Sequence, residues 1–116
     1  MRAYELMIII DVDTDEDGVD QIIGQVASHM TGLGGRVDNE NRWGRRRFAY
    51  EINHKNEGIY TVLELVTPGG DMAPLERTLR LADGVVRHKL IRLPEKEAAR
   101  RTLLPVYTSA ESETAE

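Results

Sequence analysis

The chain has 116 residues, 41% of them hydrophobic, which suits one domain with a single modest core. It has no cysteine and no apolar run near the roughly 18 residues a membrane helix needs, so disulfides, thiolate metal sites, cysteine nucleophiles and a spanning helix are excluded, and a cytoplasmic location is expected. The net charge of −5 hides an uneven distribution: Asp11, Asp13, Asp15, Glu16, Asp17, Asp20, Glu111, Glu113 and Glu116 set aside, 11 acids face 15 bases, of which 12 are arginine.

Residues 4–10 alternate around Glu5 and then become wholly apolar, which predicts a central strand. Its apolar stretch lacks the length and flanks of a secretory signal. The acidic loop breaks the strand. Val19, Ile22, Ile23, Val26, Ala27 and Met30 then recur at helical spacing, with Thr14 or Asp15 as cap and Gly32, Gly34 and Gly35 as stop. Residues 36–52 read as a long second strand interrupted near Gly44. Along it Arg46, Phe48, Tyr50 and Ile52 share one face, and Arg45, Arg47, Ala49 and Glu51 the other. Residues 53–58 read as a hairpin turn and 59–66 as a third strand. Asp71 is placed to cap a second helix with Met72, Leu75, Leu79 and Ala82 on its buried stripe, and residues 85–93 form a fourth strand. This order, with right-handed crossovers, predicts an α+β ferredoxin-like βαββαβ sandwich: a four-stranded antiparallel sheet with two helices on one face, the first and third strands central. The domain is expected over residues 1–93, with 94–116 a largely flexible C-terminal tail.

Little in the chain points to catalysis. Asp13, Asp15, Asp17 and Gly18 match the first half of a calcium loop, but its twelfth position, which needs a bidentate glutamate, is Gly24. An enzyme handling phosphate would want a glycine-rich cradle after the first strand, where this chain sets carboxylates that repel anions. His29, His54 and His88 fall on different elements and are read as structural. The chain is therefore expected to be no enzyme, without cofactor, metal or small-molecule substrate.

The basic clusters carry more. Arg42, Arg45, Arg46 and Arg47 surround Trp43, and their mutual repulsion calls for an anion or for acids such as Glu51. Phosphate contact and a solvated edge strand both account for them. A second group is Arg87, Lys89 and Arg92, which Arg2 on the adjacent strand is expected to join. The sheet lacks the paired aromatic motifs of a sequence-reading RNA-recognition domain.

At this point the sequence resembles a known family. Residues 1–7 (MRAYELM), 43–52 (WGRRRFAYEI), 57–60 (EGIY) and 85–89 (VVRHK) are similar, in order and spacing, to the sixth protein of the bacterial small ribosomal subunit. The resemblance covers residues 1–93; the acidic first loop and the tail depart from it. It implies a ferredoxin-like fold, a ribosomal structural role, binding to the central domain of small-subunit ribosomal RNA, and pairing with the eighteenth protein of that subunit. The competing reading is a small-molecule-binding regulatory module of the same fold, but such modules use a glycine-rich loop that residues 11–17 do not supply.

Three placements follow. Arg2, Arg45, Arg46, Arg47, Arg87, Lys89 and Arg92 are expected to supply RNA-contacting charge. Trp43, set among arginines, is expected to be half-exposed and to serve a contact. In the tail, residues 95–101 can extend as a short helix. Leu103, Leu104, Val106 and Tyr107, around Pro105, form an apolar segment expected to dock, on the protein partner by preference, with this domain's own sheet as the alternative.

Overall fold

In the computed structural model, residues 1–52 and 55–101 are described. Strand β1 (Arg2–Ile10) holds the centre of an antiparallel sheet of order β2-β3-β1-β4, with β2 (Arg36–Ile52), β3 (Lys55–Thr67) and β4 (Val85–Leu93). The two inner strands carry most of the sheet's buried side chains, because only they are flanked on both sides. Pairing sets the faces. Leu6 lies between Leu63 and Leu90, and Ile8 between Thr61 and His88. Since side chains alternate, even-numbered residues of β1 share one face and odd-numbered ones the other.

Helix α1 (Glu16–Gly32) and helix α2 (Ala73–Leu81) cover the even face. The core there joins Tyr4, Leu6, Ile8, Ile10, Leu63 and Leu65 to Ile22, Val26, Met30, Leu75 and Leu79. Asp15 caps α1 by accepting a hydrogen bond from the Gly18 N–H at 2.8 Å, and Asp11 accepts from the Asp13 N–H at 2.9 Å. Part of the acidic loop thus terminates the strand and starts the helix. Asp71 accepts from the Ala73 N–H at 3.0 Å at the start of α2. His29 shares a hydrogen bond with Thr78 at 3.1 Å, joining the two helices, and His88 with Glu76 at 3.0 Å, joining β4 to α2. Both are structural positions; His54 lies outside the described residues.

Two boundaries differ from the sequence reading. β3 begins at Lys55 rather than at residue 59, since Arg46 pairs with Gly58, Arg47 with Glu57 and Ile52 with Lys55. The backbone of these largely polar residues is satisfied by pairing with β2 rather than within a turn. The domain also extends past residue 93: the short helix expected there, α3 (Glu95–Arg100), forms but packs on the sheet instead of belonging to a flexible tail. Ala98, fully buried, clusters with Ala3, Val66 and Leu93 on the odd face. The face without α1 and α2 therefore carries α3 across one end and is open along the rest.

Candidate nucleic-acid interface

The β2–β3 hairpin owes its shape to two irregularities. Gly44 has φ +85°, in the left-handed region that suits glycine, and the register slips between Arg42 and Gly44. A second slip separates Arg47 from Ile52, so β2 gains residues over β3 as the hairpin leaves the sheet. Phe48, Tyr50 and Ile52, read as one face, do gather on one cleft.

The arginines along this strand divide by partner. Arg42 is bound by Asp20 of α1 at 2.6 Å and by Glu40. The hydrogen bonds it donates to Glu40, then to Asp20, raise its pKa further. Its charge is spent within the protein. Arg45 lies 3.5 Å from Glu57, a loose contact with the guanidinium mostly in water. Glu57, not Glu51, is therefore its acidic neighbour. Arg46 and Arg47 are exposed and make no ion pair among the described residues.

Arg87 and Lys89 pair with Ile9 and Met7, so both stand on the open face and both are exposed. The expected group of four does not assemble. Arg92 pairs with Tyr4 and Arg2 with Thr67, which places both on the helix-bearing side, at the opposite end of the strands. The cause is parity: Arg2 and Arg92 are even-numbered on strands where Arg87 and Lys89 are odd and no bulge intervenes. The basic surface is two patches, not one.

Between the hairpin and β4 the open face sinks into a cleft of about 490 Å³ floored by Met7, Ile9, Phe48 and Tyr60 and rimmed by Arg87 and Lys89. Trp43 stacks parallel to Tyr60 with centroids 6.1 Å apart, and Phe48 tilts against the same ring at 6.2 Å. Trp43 is 44% exposed, as its setting among arginines implied. Gly58 makes the floor possible: a Cβ there would lie 2.5 Å from an Ile9 methyl and 2.9 Å from the Phe48 ring.

The sequence reading missed one feature. Glu5 and Glu64 are direct cross-strand neighbours on the open face. Arg101 donates to Glu5 at 2.8 Å and to Glu64 at 3.2 Å, and to Glu97 of its own helix at 2.6 Å. The Glu5 hydrogen bond chiefly, then the Glu97 bond, raise the Arg101 pKa against the opposing effect of burial. Hydrogen bonds from Arg100 and Arg101 pull the Glu97 carboxyl down to about 2. A charged residue in an apolar central strand was the available signal. Leu103, Leu104, Val106 and Tyr107 lie outside the described residues. None of the described His, Asp and Glu residues cluster as a metal site would require, and no described helix is long and apolar enough to cross a membrane.

Comparison with known proteins decides what this surface belongs to. The family model of ribosomal protein S6 matches residues 3–92, from β1 through β4. The chain belongs to the ribosomal protein S6 family. The small ribosomal subunit protein bS6 of Leifsonia xyli is 43% identical over 95 residues, covering 82% of this chain and 74% of that protein. Its counterpart from Beutenbergia cavernae is 47% identical over 92 residues, covering 79% and 96%. The crystal structure of 30S ribosomal protein S6 from Thermotoga maritima superposes with a TM-score of 0.76 at 31% identity, over 87% of this chain and 95% of that one. The S6 family is one of ribosomal structural proteins, not enzymes. The S6 match ends before α3, so the Arg101 interactions fall beyond the matched span.

Proposed function

We propose that this S6-family chain is a structural component of the small ribosomal subunit in the bacterial cytoplasm, where it binds the central domain of the ribosomal RNA together with the eighteenth protein of that subunit. The observation that carries the RNA reading is electrostatic. Arg46, Arg47, Arg87 and Lys89 are exposed and engage no acid among the described residues, while Arg42 in the same run is neutralised by Asp20 and Glu40. Such cations, three guanidiniums and one ammonium, on a chain of net charge −5 favour a polyanion. Arg45 belongs with them, and Arg2 with Arg92 forms a separate, smaller patch. Their role is phosphate contact and positioning rather than base reading. Trp43, Leu103, Leu104, Val106 and Tyr107 face the protein partner.

The test is the salt dependence of RNA affinity, measured with the partner protein present. The double variant Arg87→Ala, Lys89→Ala should flatten the log–log slope by about 1.8, roughly 0.9 for each phosphate no longer neutralised. Arg42→Ala should leave the slope unchanged. A slope unaltered in the double variant refutes the assignment of β4.

A further inference from the structure

We infer that in the free protein the segment following α3 folds back along the open sheet face and fills the cleft in cis, with Leu103, Leu104, Val106 and Tyr107 over Met7, Ile9 and Tyr60 and the acidic chain end against Arg87 and Lys89. The inference rests on neither the RNA nor the partner assignment; it concerns where the segment sits before any partner arrives.

Four observations carry it. The first is the anchor. At residue 101 the chain has not left the sheet: Ala98 is buried against Ala3, Val66 and Leu93, and the Arg101 guanidinium holds Glu5 and Glu64. The second is reach. Glu5 and Glu64 form one rung of the open face; the next on that face is Met7 with Val62, then Ile9 with Tyr60. At about 3.3 Å per residue those rungs lie roughly 7 and 13 Å onward, while an extended chain carries Leu103 roughly 7 Å and Tyr107 roughly 20 Å past Arg101. The third is chemistry. The cleft of about 490 Å³ has an apolar and aromatic floor, and the segment offers apolar side chains around Pro105, whose ring biases the residue before it towards extended backbone. The fourth is charge. Residues 108–116 contain Glu111, Glu113 and Glu116 and no base, and the rim they would meet carries Arg87 and Lys89. Tethering at Arg101 raises the local concentration of the segment to the order of millimolar, which an external competitor of equal chemistry must overcome. Partner docking by these same side chains then becomes an exchange from cis to trans.

Methyl-resolved NMR of the full chain tests this. Cross-relaxation is expected between the methyls of Leu103, Leu104 and Val106 and those of Met7 and Ile9, undiminished on about tenfold dilution, as a tethered arrangement requires. In the full-length variant Leu103→Ser, Leu104→Ser, Tyr107→Ser this cross-relaxation disappears and the Met7, Ile9 and Tyr60 signals shift. In Glu111→Gln, Glu113→Gln, Glu116→Gln the Arg87 and Lys89 amides shift. Tail methyls at random-coil positions without cross-relaxation, or an unshifted cleft in the serine variant, overturn the proposal. Cross-relaxation that fades on dilution overturns it too, because it assigns the segment to the cleft of a second copy.

Discussion

Replacing Arg101 with alanine isolates what holds the chain end to the sheet. The substitution leaves Glu5 and Glu64 facing each other across the two central strands with side chains 31% and 19% exposed. Such a triad lies between two limits: exposed pairs contribute about 0.2–1 kcal/mol, whereas removing one partner of a buried pair costs about 3–5 kcal/mol. Arg101 itself is 26% exposed, so a loss of about 1–2 kcal/mol is expected. At roughly 4–8 °C per kcal/mol for a domain near this size, the midpoint of thermal unfolding should fall correspondingly. The sharper result is a sign reversal. In the native background Glu64→Gln removes an attraction to Arg101 and destabilises. In the Arg101→Ala background it removes a like-charge cross-strand repulsion and stabilises. Urea unfolding of the four proteins closes the cycle. Equal effects of Glu64→Gln in both backgrounds would refute the claim that Arg101 compensates the two carboxylates.

Thr61, fully buried on the helix-bearing face, has a hydroxyl without a hydrogen-bond partner among the described residues, so Thr61→Val should stabilise by about 0.5–1.5 kcal/mol in urea unfolding. Gly58→Ala should cost about 1–3 kcal/mol by the same assay, because its Cβ would meet an Ile9 methyl at 2.5 Å. Glu97 is depressed in the folded state, so its contribution is complete above its ordinary value of 4.5 and is lost as pH falls from there through about 2. The protection of α3 amides relative to their intrinsic exchange rates should fall over that acidic window, before the sheet opens; α3 protection unchanged down to pH 2 would contradict the Arg100 and Arg101 hydrogen bonds to Glu97. Trp43, stacked on Tyr60 but 44% exposed, should remain accessible to a neutral quencher, and a blue-shifted, unquenched emission would place it in the core.

Local patterning determined the elements. Alternation around Glu5, the helical stripe from Val19 to Met30 and the slip at Gly44 all reflect interactions of residues near in sequence, and the element order left few topologies to choose from. The half-exposure of Trp43 followed from its charged neighbours. Other features depended on pairing between distant segments. Polar composition at residues 55–58 does not reveal that their backbone is paired with β2, since ladder bonds are indifferent to side chain. Which bases combine was a question of parity: register set Arg87 and Lys89 on the open face and sent Arg2 and Arg92 to the other. The neutralisation of Arg42 required α1 to bring Asp20 within 2.6 Å of it, across more than twenty residues of sequence. The anchoring of Arg101 depended on the β1–β3 register first setting Glu5 opposite Glu64, and on α3 then crossing the sheet, so that its partners lie 96 and 37 residues away along the chain. Sequence periodicity senses neighbours within a few turns or rungs; charge compensation over those separations exists only once the fold has closed.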